Sequence, residues 1–185
     1  MAKRRILISK NKMNRVLPLV SIITVNYNGK QFLNDCFGSL MNLDYPKNKL
    51  EIFMVDNGSA DTSLDYVRKK FPKVKIVINN ENNYAKANNL GIKAAKGEYI
   101  ALINNDVKVD KSWLITLVKV AQEDVSIGAV GSKILFTNGS IQSVGHQEYP
   151  NFYWGDIGFR EKDTNRYNIL KEVSSICGCS VLYRK

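Results

Sequence analysis

The chain has 185 residues, 44% of them hydrophobic and 24% charged, with a formal net charge of +10. That length favours one domain burying roughly 70% of its unfolded surface, and no apolar run reaches the ~20 residues a membrane span needs. The charge invites a nucleic-acid reading, but Lys3, Arg4, Arg5, Lys10, Lys12 and Arg15 stand together in an acid-free stretch, so the rest of the chain is close to balanced and nucleic acid is not an expected partner.

Residues 1–17 read as a basic tail ahead of one domain over residues 18–185. The apolar "ILI" in the tail is too short for a signal-peptide core, so the protein is expected to be cytoplasmic. The tail suits peripheral contact with the anionic inner face of the cell membrane, at about 1 kcal/mol per basic residue near the lipid. A solvated extension with no partner is the alternative. Cys36, Cys177 and Cys179 fit a reducing compartment. Cys177-Gly178-Cys179 is not a recognised metal spacing, and the chain has a single histidine. Two small residues in a buried strand is the reading preferred here.

From residue 19 the pattern alternates strand and helix. "LVSIITVNY" (19–27) is β-branched and apolar. In "KQFLNDCFGSLMN" (30–42), Leu33, Cys36, Phe37 and Leu40 share one helical face. "LEIFMVD" (50–56) is a second strand. Asp61-Thr62 caps a helix carrying Leu64, Val67 and Phe71 on one side. "KVKIVIN" (73–79) is a third strand, and "YAKANNLGIKAAKG" (84–97) a helix with Gly97 as its C-terminal stop. "EYIALIN" (98–104) is a fourth strand. A further helix carries Leu114, Leu117, Val118 and Ala121, and "IGAVGSKILF" (127–136) reads as one more strand. Apolar strands separated by amphipathic helices predict an α/β layered fold with a mostly parallel central sheet.

Open sheets of this kind bind ligands beyond the carboxyl ends of their strands. Here those ends read Asn26-Tyr27-Asn28-Gly29, Asp56-Asn57-Gly58-Ser59, Asn79 to Asn83, and Asn104-Asn105-Asp106. Any one of them is a common turn sequence. Four in succession on one rim point to a binding crevice. No G-x-G-x-x-G follows the first strand, Gly128 to Lys133 has the wrong spacing for a phosphate loop, and there is no G-x-S-x-G elbow. Hard amide and carboxylate oxygens remain, suited to hydroxyl-rich ligands and to Mg²⁺ or Mn²⁺ bridging a diphosphate.

The segments "VSIITVNYNG", "IFMVDNGSADTS", "NNENNYAKANNLGIKAAKGEYIALINNDV" and "VGSKILF" resemble, in that order, the nucleotide-sugar half of family 2 glycosyltransferases, the inverting class with the GT-A fold. "IQSVGH" and "RYNILKEVSSICGCSVLYRK" resemble the branch with rhamnosyl and related transferases. The resemblance covers residues 18–185. It implies a Rossmann-like nucleotide-diphospho-sugar transferase fold and a direct displacement at the anomeric carbon, with a divalent metal offsetting charge on the leaving group. The implied partners are a UDP- or dTDP-linked sugar and a saccharide or lipid-linked acceptor, in polysaccharide biosynthesis.

The same resemblance implies roles for particular residues. Val25 and Tyr27 line the base pocket, and Asp56 bonds the base or ribose. Asn83, Asn88 and Asn89 border the nucleotide and diphosphate. Asn104-Asn105-Asp106 stands for the D-x-D element, with Asn104 near the ribose, Asn105 beside the nucleotide-sugar, and Asp106 on Mg²⁺ or Mn²⁺. Asparagine at the first position departs from the strict pattern and removes one charge from the metal site. The family's catalytic base lies in an acidic motif after the strand matching "CGCSVLYRK", so it is expected beyond Lys185, in a longer chain. A module that binds nucleotide-sugar without transferring it is the alternative.

Other features stay open at this level. Tyr149, Phe152, Tyr153, Trp154 and Phe159 are either an acceptor platform or a packed loop. His146 either assists at the diphosphate or is structural. Lys86 and Lys133 either meet a phosphate or are solvated.

Overall fold

The computed structural model describes residues 16–185. The expected basic tail, with its proposed lipid contact, falls almost wholly outside the described residues. No helix among the described residues is long and apolar enough to cross a membrane.

Among the described residues, ten strands and four α-helices follow in chain order. They are β1 (Val20–Asn26), α1 (Lys30–Met41), β2 (Leu50–Asp56), α2 (Ser63–Lys70), β3 (Lys75–Ile78), α3 (Tyr84–Ala94), β4 (Tyr99–Ile103) and α4 (Trp113–Glu123). Then come β5 (Ala129–Gly131), β6 (Ile134–Leu135), β7 (Ile141–Ser143), β8 (His146–Tyr149), β9 (Tyr153–Asp156) and β10 (Ser180–Arg184). Six strands form the central sheet in the order β3-β2-β1-β4-β10-β5. β1 pairs parallel with both β2 and β4, β2 pairs parallel with β3, and only β10 runs the other way, between β4 and β5. The α/β fold with a mostly parallel sheet is therefore as expected.

Strand alternation divides the core. Val20, Ile22, Ile52 and Met54 face the stripe Leu33, Cys36, Phe37 and Leu40 of α1, together with Val67 of α2 and Leu114, Leu117 and Val118 of α4. Ile23, Phe53, Val55 and Ile100 face the other way, onto Ala87 and Ala95 at α3. Each large side chain so buried contributes about 1.5–3 kcal/mol. The sheet is thus covered on both faces, as parallel strands require.

Some expectations need correction. α3 ends at Ala94, and Gly97 is not its stop. A Cβ at Gly97 would lie 2.6 Å from both Ser21 N and Tyr99 O, so this glycine lets the chain pass close against β1. The stretch 127–136 is two short strands in different sheets: Ser132 N still donates to Ser180 O of β10 at 3.3 Å while its Oγ accepts from Trp113 Nε1 at 2.9 Å, and the chain then passes to β6. Cys177 and Cys179 are half-buried in the turn before β10, not within a buried strand. β3 is a short edge strand, partly exposed on both faces.

Candidate functional site

Because β1 to β4 are parallel, their carboxyl ends share one rim. The antiparallel β10 starts there too, with Ser180 opposite Ile103. Chain order reverses between β1 and β4, which makes their junction the switch point where such sheets take ligands.

Asn26 closes that junction. Fully buried, it donates from Nδ2 to Ser59 Oγ (3.1 Å) and Ser63 Oγ (3.0 Å) and accepts from Asn105 Nδ2 (2.9 Å). One amide therefore ties the ends of β1 and β4 to the loop after β2. Gly29 makes this approach possible, since a Cβ there would sit 2.1 Å from Asn105 Nδ2 and 2.6 Å from Asn26 Oδ1. Neither Asn26 nor Gly29 was singled out from the sequence. The strand-end position of Asn26 was a signal, whereas the contact of Gly29 is with a residue remote in the chain.

A second set of amides is spent on the frame. Asn57 Oδ1 accepts from Asn79 Nδ2 (2.7 Å) and Asn83 N (3.1 Å), and Asn57 Nδ2 donates to Asn82 Oδ1 (3.0 Å). Asn83 is the N-cap of α3, its Oδ1 accepting from Lys86 N at 2.9 Å. Asn88 is buried on α3 and donates to Tyr84 O (2.9 Å), while Asn89 is exposed on the same helix. Asn104 accepts from Tyr84 Oη (3.3 Å) through its side chain and donates its backbone N–H to Cys179 O (3.0 Å). Val25 is half-buried and Tyr27 is 48% exposed at the end of β1.

Two carboxylates are not spent this way. Asp56 is only 2% exposed; its Oδ2 accepts from Ser59 N at 3.2 Å, and its Oδ1 has no partner among the described residues. A buried acceptor left unpaired costs about 1–3 kcal/mol, so a donor is owed there. Asp106 is exposed and makes no hydrogen bond or ion pair among the described residues. With Asn105, whose amide oxygen is uncommitted, Asp106 supplies hard oxygen donors, and this set fits Mg²⁺ or Mn²⁺. Cys36 lies beneath them with its thiol 3.8 Å from Asn104 O. Burial pushes that thiol up to about 12, with the charge of Asp106 adding and the Thr24 hydroxyl opposing, so it is no nucleophile.

The open alternatives also resolve. Lys86 is held by Glu81 (2.6 Å), and Lys133 by Asp163 (2.8 Å) and Asn168 (2.6 Å), so neither is a free phosphate contact. The aromatic stretch is an exposed hairpin of β8 and β9, not a packed loop: Phe152 is 87%, Tyr153 67% and Trp154 50% exposed. His146 Nε2 lies 3.1 Å from Asp156 Oδ1, and its Nδ1 3.1 Å from Ser175 Oγ.

Comparison with known proteins places this geometry. Residues 21–185 match the family described as Glycosyl transferase family 2. The chain is 30% identical over 169 residues to glycosyltransferase AglE of Haloferax volcanii, covering 88% of this chain and 53% of that one. The mannosyltransferase PcManGT from Pyrobaculum calidifontis, solved in complex with GDP-Man and Mn²⁺, superposes with a TM-score of 0.61 at 26% identity, over 66% of this chain and 37% of that one. S. aureus TarS in complex with UDP gives 0.59 at 27% identity, over 65% and 36%. The chain thus spans about half of AglE and little more than a third of either solved neighbour. With its parallel sheet, its switch-point rim and a match running through nearly all described residues, the chain belongs to glycosyl transferase family 2.

Proposed function

We propose that this domain holds a nucleotide-diphosphate sugar, UDP- or dTDP-linked, at the rim of β1 to β4 for inverting transfer to a saccharide or lipid-linked acceptor. The observation that carries this reading is the buried Asp56 carboxylate at the end of β2, with Oδ1 unpartnered among the described residues. An imide N–H or a ribose hydroxyl supplies the missing donor. Val25 and Tyr27 flank the base, and Asn83 at the N-cap of α3, with Asn88 and Asn89 within the helix, borders the nucleotide and diphosphate. Asp106, with amide oxygens of Asn104 and Asn105, would hold Mg²⁺ or Mn²⁺. When bound, that ion offsets charge developing on the departing diphosphate.

The protein's own contribution is positioning. The Asn26–Asn105 bond and the Asn104–Cys179 bond fix the β4 end before any ligand arrives, and such preorganisation lowers the cost of binding. The bound UDP in TarS and the GDP-Man and Mn²⁺ in PcManGT support the donor and metal classes assigned here. The exposed aromatic hairpin offers faces suited to an acceptor sugar.

Asp56→Ala tests the base pocket directly. In calorimetric titrations with Mn²⁺ present, loss of one charged hydrogen bond, worth about 1.5–3 kcal/mol, should weaken UDP or dTDP binding roughly 10- to 100-fold. Unchanged affinity would remove Asp56 from the site and with it the main support for this reading.

A further inference from the structure

Outside the nucleotide rim, the structure gathers three different ligand types that are remote in sequence. His146, Asp156 and Cys177 each offer one ligand atom, and those atoms lie within 4.8 Å of one another, all on half-buried residues. We propose that these three side chains form a second cation site, selective for a zinc-class ion, with the fourth position of the ion left to water.

The geometry is built from the backbone upward. His146 and Asp156 face each other directly in the β8–β9 ladder, so their side chains leave the same face of the hairpin. The segment carrying Cys177 is laced to that hairpin by a bridge in which His146 N donates to Ser175 O at 2.9 Å. It is also pressed close, since a Cβ at Gly145 would lie 2.8 Å from Val173 Cγ1. Ser175 Oγ meets His146 Nδ1 at 3.1 Å and leaves Nε2 aimed at Asp156 Oδ1, 3.1 Å away. A metal-binding histidine is commonly oriented through its other ring nitrogen in this way.

The spacing suits a tetrahedral ion. Bonds of about 2.0–2.3 Å put the ligand atoms of a tetrahedral zinc roughly 3.3–3.8 Å apart, and His146 Nε2 already lies 3.1 Å from Asp156 Oδ1. Nitrogen and sulfur ligands favour zinc-class ions, whereas the all-oxygen set around Asp106 favours Mg²⁺ or Mn²⁺. The two sites therefore differ in chemistry, although Cys179 O accepts from Asn104 N at 3.0 Å and links them. A cavity of about 430 Å³, lined by His146, Gln147, Ile157, Glu172, Val173 and Ser174, opens beside the ring and gives an entry path. Binding converts Cys177 to its thiolate and releases the proton to solvent. An ion here would clasp the hairpin to the Cys177–Cys179 turn.

The test uses Co²⁺ as a spectroscopic probe on the full 185-residue chain, stripped with chelator and without nucleotide. One equivalent should produce the thiolate-to-cobalt charge-transfer band and the visible bands of a tetrahedral ion, and Zn²⁺ should displace both. Cys177→Ser should abolish the charge-transfer band, Cys179→Ser should leave it in place, and Ser175→Ala should weaken binding about 10-fold or more. Asp106→Ala should leave the spectrum unchanged. No thiolate band in the wild-type chain, or a band that survives Cys177→Ser or disappears with Asp106→Ala, would overturn the site. The wild-type spectrum decides the central point even where a variant misfolds.

Discussion

At the scale of single residues, the rim is held by close approaches that tolerate almost no added volume. Asn26, Asn105 and Gly29 form one such contact, and a methyl group on Gly29 collides with both amides. Gly29→Ala is therefore expected to displace Asn105 and cost about 1–3 kcal/mol, with nucleotide affinity falling further than stability does. Denaturant unfolding and calorimetry on the same variant separate the two effects, and equal losses would mean that the contact serves the fold alone. Glu51 shows the same economy at the opposite end of the sheet. It is 9% exposed and accepts from Ser21 Oγ (2.7 Å), Lys96 N (2.9 Å) and Lys75 Nζ (2.6 Å). Burial alone would raise its pKa, but these hydrogen bonds and the lysine charge outweigh burial and hold the carboxyl below its ordinary 4.5. A lowered folded value means that the stabilisation is present at neutral pH and is lost as pH falls below about 4.5 toward the folded pKa. Glu51→Gln should cost about 1–3 kcal/mol at pH 7, and the gap from wild type should narrow in acid; a gap constant from pH 7 to 3 would contradict this.

At the scale of elements, the helices and parallel strands were legible because their periodicities are long and uninterrupted. The stripe Leu33, Cys36, Phe37 and Leu40 is buried as the spacing implied, and β2 runs from Leu50 to Asp56 as read. Boundaries set by tertiary contact were not legible. Gly97 looked like a helix stop but serves a close pass against β1, and the apolar run 127–136 breaks after Gly131, where Ser132 takes up the Trp113 indole and the chain passes to a second sheet. Arg184 was invisible for the same reason. Its guanidinium donates to Ala121 O, Asp124 O (3.2 Å) and Ile127 O (3.2 Å) at the end of α4, and to Tyr99 Oη (2.6 Å). It thereby satisfies helix-end carbonyls and complements the negative end of the helix dipole. Arg184→Met should cost about 1–2 kcal/mol, lowering Tm by roughly 2–8 °C. A melting curve that does not move would contradict the capping role.

At the scale of the whole molecule, the site was legible as a rim before any single residue in it was. The run of asparagines and aspartates at four strand ends marked one edge of the parallel sheet, and the strand order brings those ends together on one rim. The division of labour within the rim was not legible. Asn83 also caps α3 through its side-chain oxygen, a duty that its place after a strand does not announce. Asn26 read as part of the rim and proves to be its central tie. Sequence shows which donors reach an edge, but not which of them the fold has already used. What remains unspent are Asp56 Oδ1 and Asp106, and the proposed function rests on those two carboxylates. The most direct test is calorimetric titration of UDP and dTDP into the chain, with and without Mn²⁺, alongside Asp106→Ala. Binding of at least one nucleotide that strengthens with Mn²⁺, and loses that gain in Asp106→Ala, is the predicted result. Binding indifferent to both the metal and the substitution, or no binding of either nucleotide, would contradict it.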